Sequence, residues 1–251
     1  MKLSETPDVS VIICHHIGDL IYKCVESIKQ SIGVSYEIII LTSDSKLALE
    51  GIKNCHINFS EAGPAEKRNI GFRLSKAPYL AFFDDDVEIE PECLYTLLKT
   101  CQNKHIGMVY GKLYNMEFKN RLDEAGSFLT STGFLYSRAG QHIEDKGQFS
   151  HTEPILSGKS ASCIIRADLF NKLGGFDEDF FILGEETDLA WRVWLSGWRV
   201  VFEPMAIGYH AFNTKFKPME KHYNSERVQY NGARNYITML LKNLEAKSLW
   251  K

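Results

Sequence analysis

Four short apolar runs, Val9 to Cys14, Tyr36 to Leu41, Cys55 to Phe59 and Tyr79 to Phe83, recur early in the chain, and their spacing constrains the fold more than any other feature. The first, Val-Ser-Val-Ile-Ile-Cys, is β-branched and nearly unbroken by polar residues, the pattern of a strand buried on both faces of a parallel sheet. After it, Gly18-Asp19 precede Leu20, Ile21, Cys24, Val25 and Ile28, which draw one apolar stripe on a 3.6-residue helix. Gly63-Pro64 opens a second helix that runs to about Ser75, with proline in its first turn. Strands alternating with helices predict right-handed crossovers and an open, mostly parallel twisted α/β sheet flanked by helices. Ligands of such sheets bind beyond the carboxyl ends of the strands.

The later segments predict a helix over Pro91 to Gln102, a strand over Gly107 to Tyr114, and a polar, weakly periodic stretch from Asn115 to Glu153. A strand at Ser160 to Arg166, helices at Ala167 to Leu173 and Glu185 to Ser196, a strand from Trp198 to Phe202 with a turn at Pro204, and a helical tail from Met219 to Lys251 follow. A chain of 251 residues, 44% hydrophobic, can bury a full core, so a single domain is expected. Lys and Arg number 29 against 32 Asp and Glu, a balance with no global field to gather nucleic acid. Six scattered cysteines lack metal spacing, the first residues lack an apolar leader, and no long apolar run occurs, which together predict a cytoplasmic protein.

Three carboxylates, Asp84, Asp85 and Asp86, close the run Tyr79 to Phe83. Adjacent acids repel unless a cation is near, and Mg²⁺ or Mn²⁺ takes carboxylate and phosphate oxygens together, so acids at a strand end suit a metal–diphosphate site. A solvated acidic turn capping the next helix is the plainer alternative. Lys67 and Arg68 sit where cations one turn from a diphosphate could pair with it. A second acidic cluster, Gly174-Gly175-Phe176-Asp177-Glu178-Asp179 followed by Gly184-Glu185-Glu186-Thr187-Asp188, lies near a helix start, where acids are favoured by the dipole or could serve as a general base. His210, after Gly208-Tyr209, is a lone histidine that could be structural or a ligand.

Taken in order, RNIGFRLSKAPYLAFFDDDV and SGKSASCIIRADLFNKLGGFDEDFFILGEETDLAWRVWLSGWRVVFEPMAIGYH resemble glycosyltransferase family 2, especially its rhamnosyltransferase-like members. The resemblance implies the GT-A fold, with a nucleotide-sugar-binding half over 1–114, an acceptor and catalytic half over 115–218 and a tail over 219–251. It implies a divalent metal, Mn²⁺ or Mg²⁺, held by Asp84, Asp86 and His210, and donor contacts from Arg68, Asp84 and Asp85. The family's Glu-Asp pair at the base stands here as Glu185-Glu186, which makes Glu186 the expected base, with Glu185 and Asp188 as the other candidates. The aspartate that commonly ends the second strand is replaced by Thr42-Ser43-Asp44, making Asp44 the candidate for reading the base. Cys14-His15-His16 stands where a proline–threonine pair is usual, so these three are donor-pocket candidates. Gly158, Trp191 and Arg192 are expected on the acceptor side.

The implied reaction is inverting transfer from a UDP, dTDP or GDP sugar to a hydroxyl of a glycan or lipid-linked acceptor. A sugar nucleotidyltransferase would need a basic, glycine-rich loop after the first strand, yet Cys14 to Asp19 holds neither Arg nor Lys. A non-catalytic nucleotide-sugar or glycan-binding module is the third reading. The basic, apolar tail, with Lys215, Lys217, Lys221, Arg227, Arg234, Lys242 and Lys247, either packs on the domain or meets the inner face of a membrane.

Overall fold

The computed structural model describes residues 6–49, 51–140, 143–211 and 226–245, the side chain of Arg227 excepted. Its centre is a ten-stranded sheet in which β1 (Val9–His15), β2 (Tyr36–Thr42), β3 (Cys55–Phe59) and β4 (Tyr79–Asp84) run parallel in the order β3-β2-β1-β4. Beyond β4 the sheet continues through β11 (Ser162–Arg166), antiparallel to both neighbours, then β6 (Ile106–Asn115), the parallel β12 (Arg199–His210) and the edge strand β10 (Glu153–Pro154). Because β11 is inverted between β4 and β6, the carboxyl ends of β1, β2, β4, β6 and β12 share one edge.

Successive residues of a strand point to opposite faces, and both faces here are covered. Val11 and Ile13 pack with α1 (Leu20–Lys29) and α3 (Cys93–Cys101), whereas Ile12, Ile39 and Leu41 pack with α2 (Pro64–Leu74), α4 (Ala167–Lys172) and α5 (Glu185–Leu195). This is the physical reason that the strand sequences lack alternation. At the β3 edge the rule fails, and Ile57 and Phe59 are exposed.

Three departures from the expected elements bear on the site. The strand expected to stop before Pro204 continues to His210; Pro204, which has no amide to donate, falls in a register shift between Glu203 and Ile207. The segment after the triple aspartate forms β5 (Val87–Ile89), three residues too short to read from periodicity, which pairs antiparallel with the end of β12. The polar stretch from 115 contains β7 (Leu122–Glu124), on β6, and the hairpin β8 (Ser127–Leu129) to β9 (Leu135–Ser137). The tail is the helix α6 (Glu226–Asn243); Lys215, Lys217, Lys221 and Lys247 lie outside the described residues. Among those residues no helix is long and apolar enough to cross a membrane, and the cysteines described are free thiols.

Candidate active site

Asp84, Asp86 and His210 each present one ligand atom, and these atoms lie within 4.8 Å of one another. Pairing of Val87 with His210 brings the end of β12 against the turn that follows β4, and Ala211 donates its amide to the Asp86 carbonyl at 3.0 Å. Two carboxylate oxygens and one imidazole nitrogen form a donor set that fits a divalent cation accepting mixed oxygen and nitrogen ligands. Asp84 is half-buried and opens toward solvent, while Asp86 and His210 are buried.

His210 is fixed from behind. Its Nδ1 lies 2.8 Å from Oδ2 of Asp123 and its Nε2 3.2 Å from Oδ1 of Asp86. Burial alone would lower the imidazole pKa, but the Asp86 and Asp123 carboxylates overcome it and lift the value to about 10. Burial likewise raises Asp123, yet its bond to His210 and the ammonium of Lys159, 2.7 Å away, bring it down to about 2. A carboxylate behind a ligand histidine is the usual device for fixing the ring and aiming the other nitrogen. Neither Asp123 nor Lys159 was expected, because Asp123 stands in the weakly periodic stretch where no spacing marks it.

Arg68 is placed by α2 between the two acidic clusters. Its Nη2 donates to Oδ1 of Asp84 at 3.1 Å and its Nη1 to Oε1 of Glu185 at 2.8 Å, with the guanidinium 5.3 Å from the Phe176 ring centre. It is 4% exposed, so its charge is spent on carboxylates of the protein. Glu185 is buried and its other oxygen, Oε2, has no hydrogen-bond partner among the described residues. Glu186 remains partly exposed, and burial together with the neighbouring Glu185 charge pushes its carboxyl well above the usual range. Asp188 is fully buried and committed: Oδ2 accepts from Arg192 Nε at 2.8 Å, and Oδ1 from Asn243 Nδ2 at 2.9 Å and Lys242 Nζ at 3.0 Å.

At the ends of β1 and β2, His15 is buried with Nδ1 2.5 Å from Oδ2 of Asp85, and burial raises the Asp85 carboxyl against the opposing pull of that histidine. His16 is exposed. Cys14 lies under the first turn of α2, its Sγ 3.7 Å from the Pro64 carbonyl, and burial pushes the thiol up to about 12. Lys67 ties the two strand ends, donating to the His15 carbonyl at 2.8 Å and Ser43 Oγ at 2.7 Å. Asp44 is half-exposed, its Oδ1 accepting the Lys46 amide at 2.8 Å in a local turn.

The residues expected on the acceptor side each have their own set of neighbours. Gly158 lies against Tyr110, whose hydroxyl reaches the Glu186 carbonyl oxygen at 3.3 Å. Trp191 is 9% exposed in a cluster with Phe180 and Met239. Arg192 spends its remaining donors on the carbonyls of Leu173 and Gly175, both at 2.8 Å, so it fastens the glycine loop to α5.

The glycosyl transferase family 2 model matches residues 10–173. The O-antigen biosynthesis protein RfbC of Myxococcus xanthus is 34% identical over 139 residues, 53% of this chain and 11% of that protein. The pre-mycofactocin glycosyltransferase of Mycobacterium tuberculosis is 27% identical over 155 residues, 62% of this chain and 31% of that one. The chain thus spans less than a third of either relative. GalNAc-T7, solved with UDP, GalNAc and Mn²⁺, superposes with a TM-score of 0.68 over 95% of this chain and 48% of its own, at 14% identity. The sheet is that of the GT-A glycosyltransferases, and with two thirds of its length matched to the family model the chain belongs to glycosyl transferase family 2.

Proposed function

We propose that this protein transfers a sugar from a nucleoside-diphosphate sugar to a hydroxyl of a glycan or lipid-linked acceptor with inversion, in the manner of the rhamnosyltransferase-like members. The observation that carries this reading is the convergence of Asp84, Asp86 and His210 at the carboxyl edge of the sheet. A divalent metal held there would neutralise the leaving diphosphate, where charge develops in the transition state. The UDP and Mn²⁺ of GalNAc-T7 support the same assignment.

The other roles follow from what each side chain has left to give. Arg68, engaged by Asp84 and Glu185, holds the metal ligand and the base-bearing helix in register rather than meeting the diphosphate itself. Asp188 is engaged through both oxygens and Glu185 is buried and tied by Arg68 through one, so Glu186, which alone of the three stays partly exposed, is the carboxylate placed to take the acceptor proton. A raised pKa suits a base, since it strengthens proton affinity at the operating pH. His15, Asp85 and Asp44 stand at the donor edge with Cys14 and His16 beside them, and Gly158 and Trp191 back the acceptor side.

Calorimetry of the purified protein against UDP, GDP and dTDP, each with and without Mn²⁺, tests the reading beside an Asp86→Ala variant. Metal-dependent binding of one nucleotide, absent in the variant, is expected. No binding of any of the three overturns the metal–diphosphate site.

A further inference from the structure

The segment that leads into Glu185 and Glu186 is held in an improbable conformation. Phe181 has φ 60° and ψ −65°, the centre of a tight three-residue turn in which the Ile182 amide donates to the Phe180 carbonyl at 2.7 Å. That geometry is rare and strained for a residue with a side chain. Leu183 follows at φ 71° and Gly184 at φ 90°, so three of four consecutive residues sit in left-handed backbone. Such conformations persist only where the surroundings over-determine them, and here two elements do so. On one side the Phe181 ring fills the space over Gly63, where an added Cβ would come within 2.5 Å of it; Gly63 precedes the helix that carries Lys67 and Arg68.

On the other side is α6. Asn235, 1% exposed, aims Nδ2 at three carbonyl oxygens of this one loop: Phe180 at 2.7 Å, Ile182 at 2.9 Å and Leu183 at 2.8 Å. A side-chain amide carries two N–H donors, so the three acceptors are served only if one proton is shared, an arrangement that fixes the loop from its centre. The amide oxygen is held in turn by Arg234 Nη2 at 2.9 Å, and Arg234 also donates to the Asp179 carbonyl. Leu183 packs beside Gly232 of the same helix.

We propose that Asn235 is a positioning residue for Glu186: by clamping the left-handed turn at 180–184 it fixes the start of α5 and with it the direction of the base. This rests on Glu186 being the base. Among the described residues, the titratable and charged groups that interact with Glu186 are Glu185 on its own helix, Arg68 from α2, Tyr110 from β6 and Cys163 from β11. None of them belongs to α6. The clamp therefore acts through backbone geometry and access of water, and not as a charged partner of the carboxyl.

The full chain carrying Asn235→Ala tests this beside Asn243→Ala, which removes a bond from the same helix to Asp188 of α5 and leaves the bonds to the 180–184 loop in place. Binding of the Mn²⁺–nucleotide pair is read by calorimetry, hydrolysis of the matching nucleotide sugar gives kcat against pH, and amide exchange reports on 180–184. In Asn235→Ala, nucleotide affinity should stay within about twofold while kcat falls between about 10- and 100-fold, the scale of a misplaced group. The acid limb should move to lower pH as water reaches the carboxyl, and loop amides should exchange faster with those of β1 and β4 unchanged. A wild-type kcat and pH profile in Asn235→Ala overturns the proposal, as does an equal loss and limb shift in Asn243→Ala. A wild type that neither binds nucleotide nor hydrolyses donor overturns the transferase reading instead, and the exchange data still decide whether the clamp exists.

Discussion

Arg68 on α2 and Glu185 at the start of α5 are 117 residues apart in sequence and joined by a 2.8 Å hydrogen bond in which both side chains are buried. With the second arm of the guanidinium on Asp84, a single cation spans the two acidic clusters of the site. Breaking a buried pair by removing one partner leaves an uncompensated charge and costs about 3–5 kcal/mol. Arg68→Ala is therefore expected to lower the melting temperature sharply and to weaken Mn²⁺-dependent nucleotide binding by releasing Asp84. Arg68→Lys, a point charge without the fork, should restore only part of both. Thermal unfolding and calorimetry on the two variants check this, and equal stability of Arg68→Ala and wild type would refute it.

Glu186 makes opposite demands on activity and stability. Its carboxyl pKa is raised in the folded protein above the unfolded value of about 4.3, so the folded state binds the proton more tightly. Stability is then lost as pH rises through the unfolded value, and the loss levels off once pH exceeds the folded one. Glu186→Gln removes this penalty: at pH 7 the variant should melt higher than wild type, and at pH 4 the two should converge. Transfer or donor hydrolysis should fall by about 10²- to 10⁴-fold, as for loss of a general base. Glu185→Gln is expected to reverse the pattern at neutral pH by uncoupling Arg68.

Asp123 is expected to act on the metal without touching it. Asp123→Asn keeps the size but removes the charge that aligns His210 and anchors Lys159, and loss of such a partner typically weakens metal affinity about 10- to 100-fold. Mn²⁺ titration followed by calorimetry or by paramagnetic line broadening reads this directly. An unchanged affinity would mean that β12 alone sets the ring.

The contrast between Asp123 and Asp84 marks where the sequence is readable. Strands β1, β2 and β4 are legible because burial on both faces forces unbroken apolar runs, and the triple aspartate is conspicuous because it interrupts one. His210 becomes meaningful only through β5, a three-residue strand below the length at which periodicity exists. Asp123, Lys159 and Asn235 reach the site across distances in sequence that no local pattern encodes. Trp191, expected on the acceptor side, also packs against Met239 of α6, and Arg192 holds the carbonyls of Leu173 and Gly175, contacts between distant segments that no local pattern encodes.

Gly71, in the middle of α2, faces Ile12 so closely that an added Cβ would lie 2.5 Å from Cγ2 and 3.2 Å from Leu41 Cδ2. Alanine would gain about 0.5–1 kcal/mol of helix propensity. Overpacking a filled interface costs about 1–3 kcal/mol and should win, because Ile12 is pinned in the central strand of the sheet. Gly71→Ala is thus expected to lower the melting temperature despite its better propensity, which a denaturant titration measures.

Gly158 offers the sharpest separation of a packing role from an acceptor role. A Cβ there would sit 2.9 Å from two ring atoms of Tyr110 and 3.1 Å from its Cβ. Tyr110 is fully buried and its hydroxyl bonds the Glu186 carbonyl, so a displaced ring disturbs that bond. Gly158→Ala should then lower kcat for donor hydrolysis, a reaction that uses no sugar acceptor, together with a stability loss of about 1–3 kcal/mol. A variant that hydrolyses donor normally but shows a raised KM for an acceptor glycan would instead assign Gly158 to the acceptor wall, and the link from Tyr110 to the base would carry no catalytic weight.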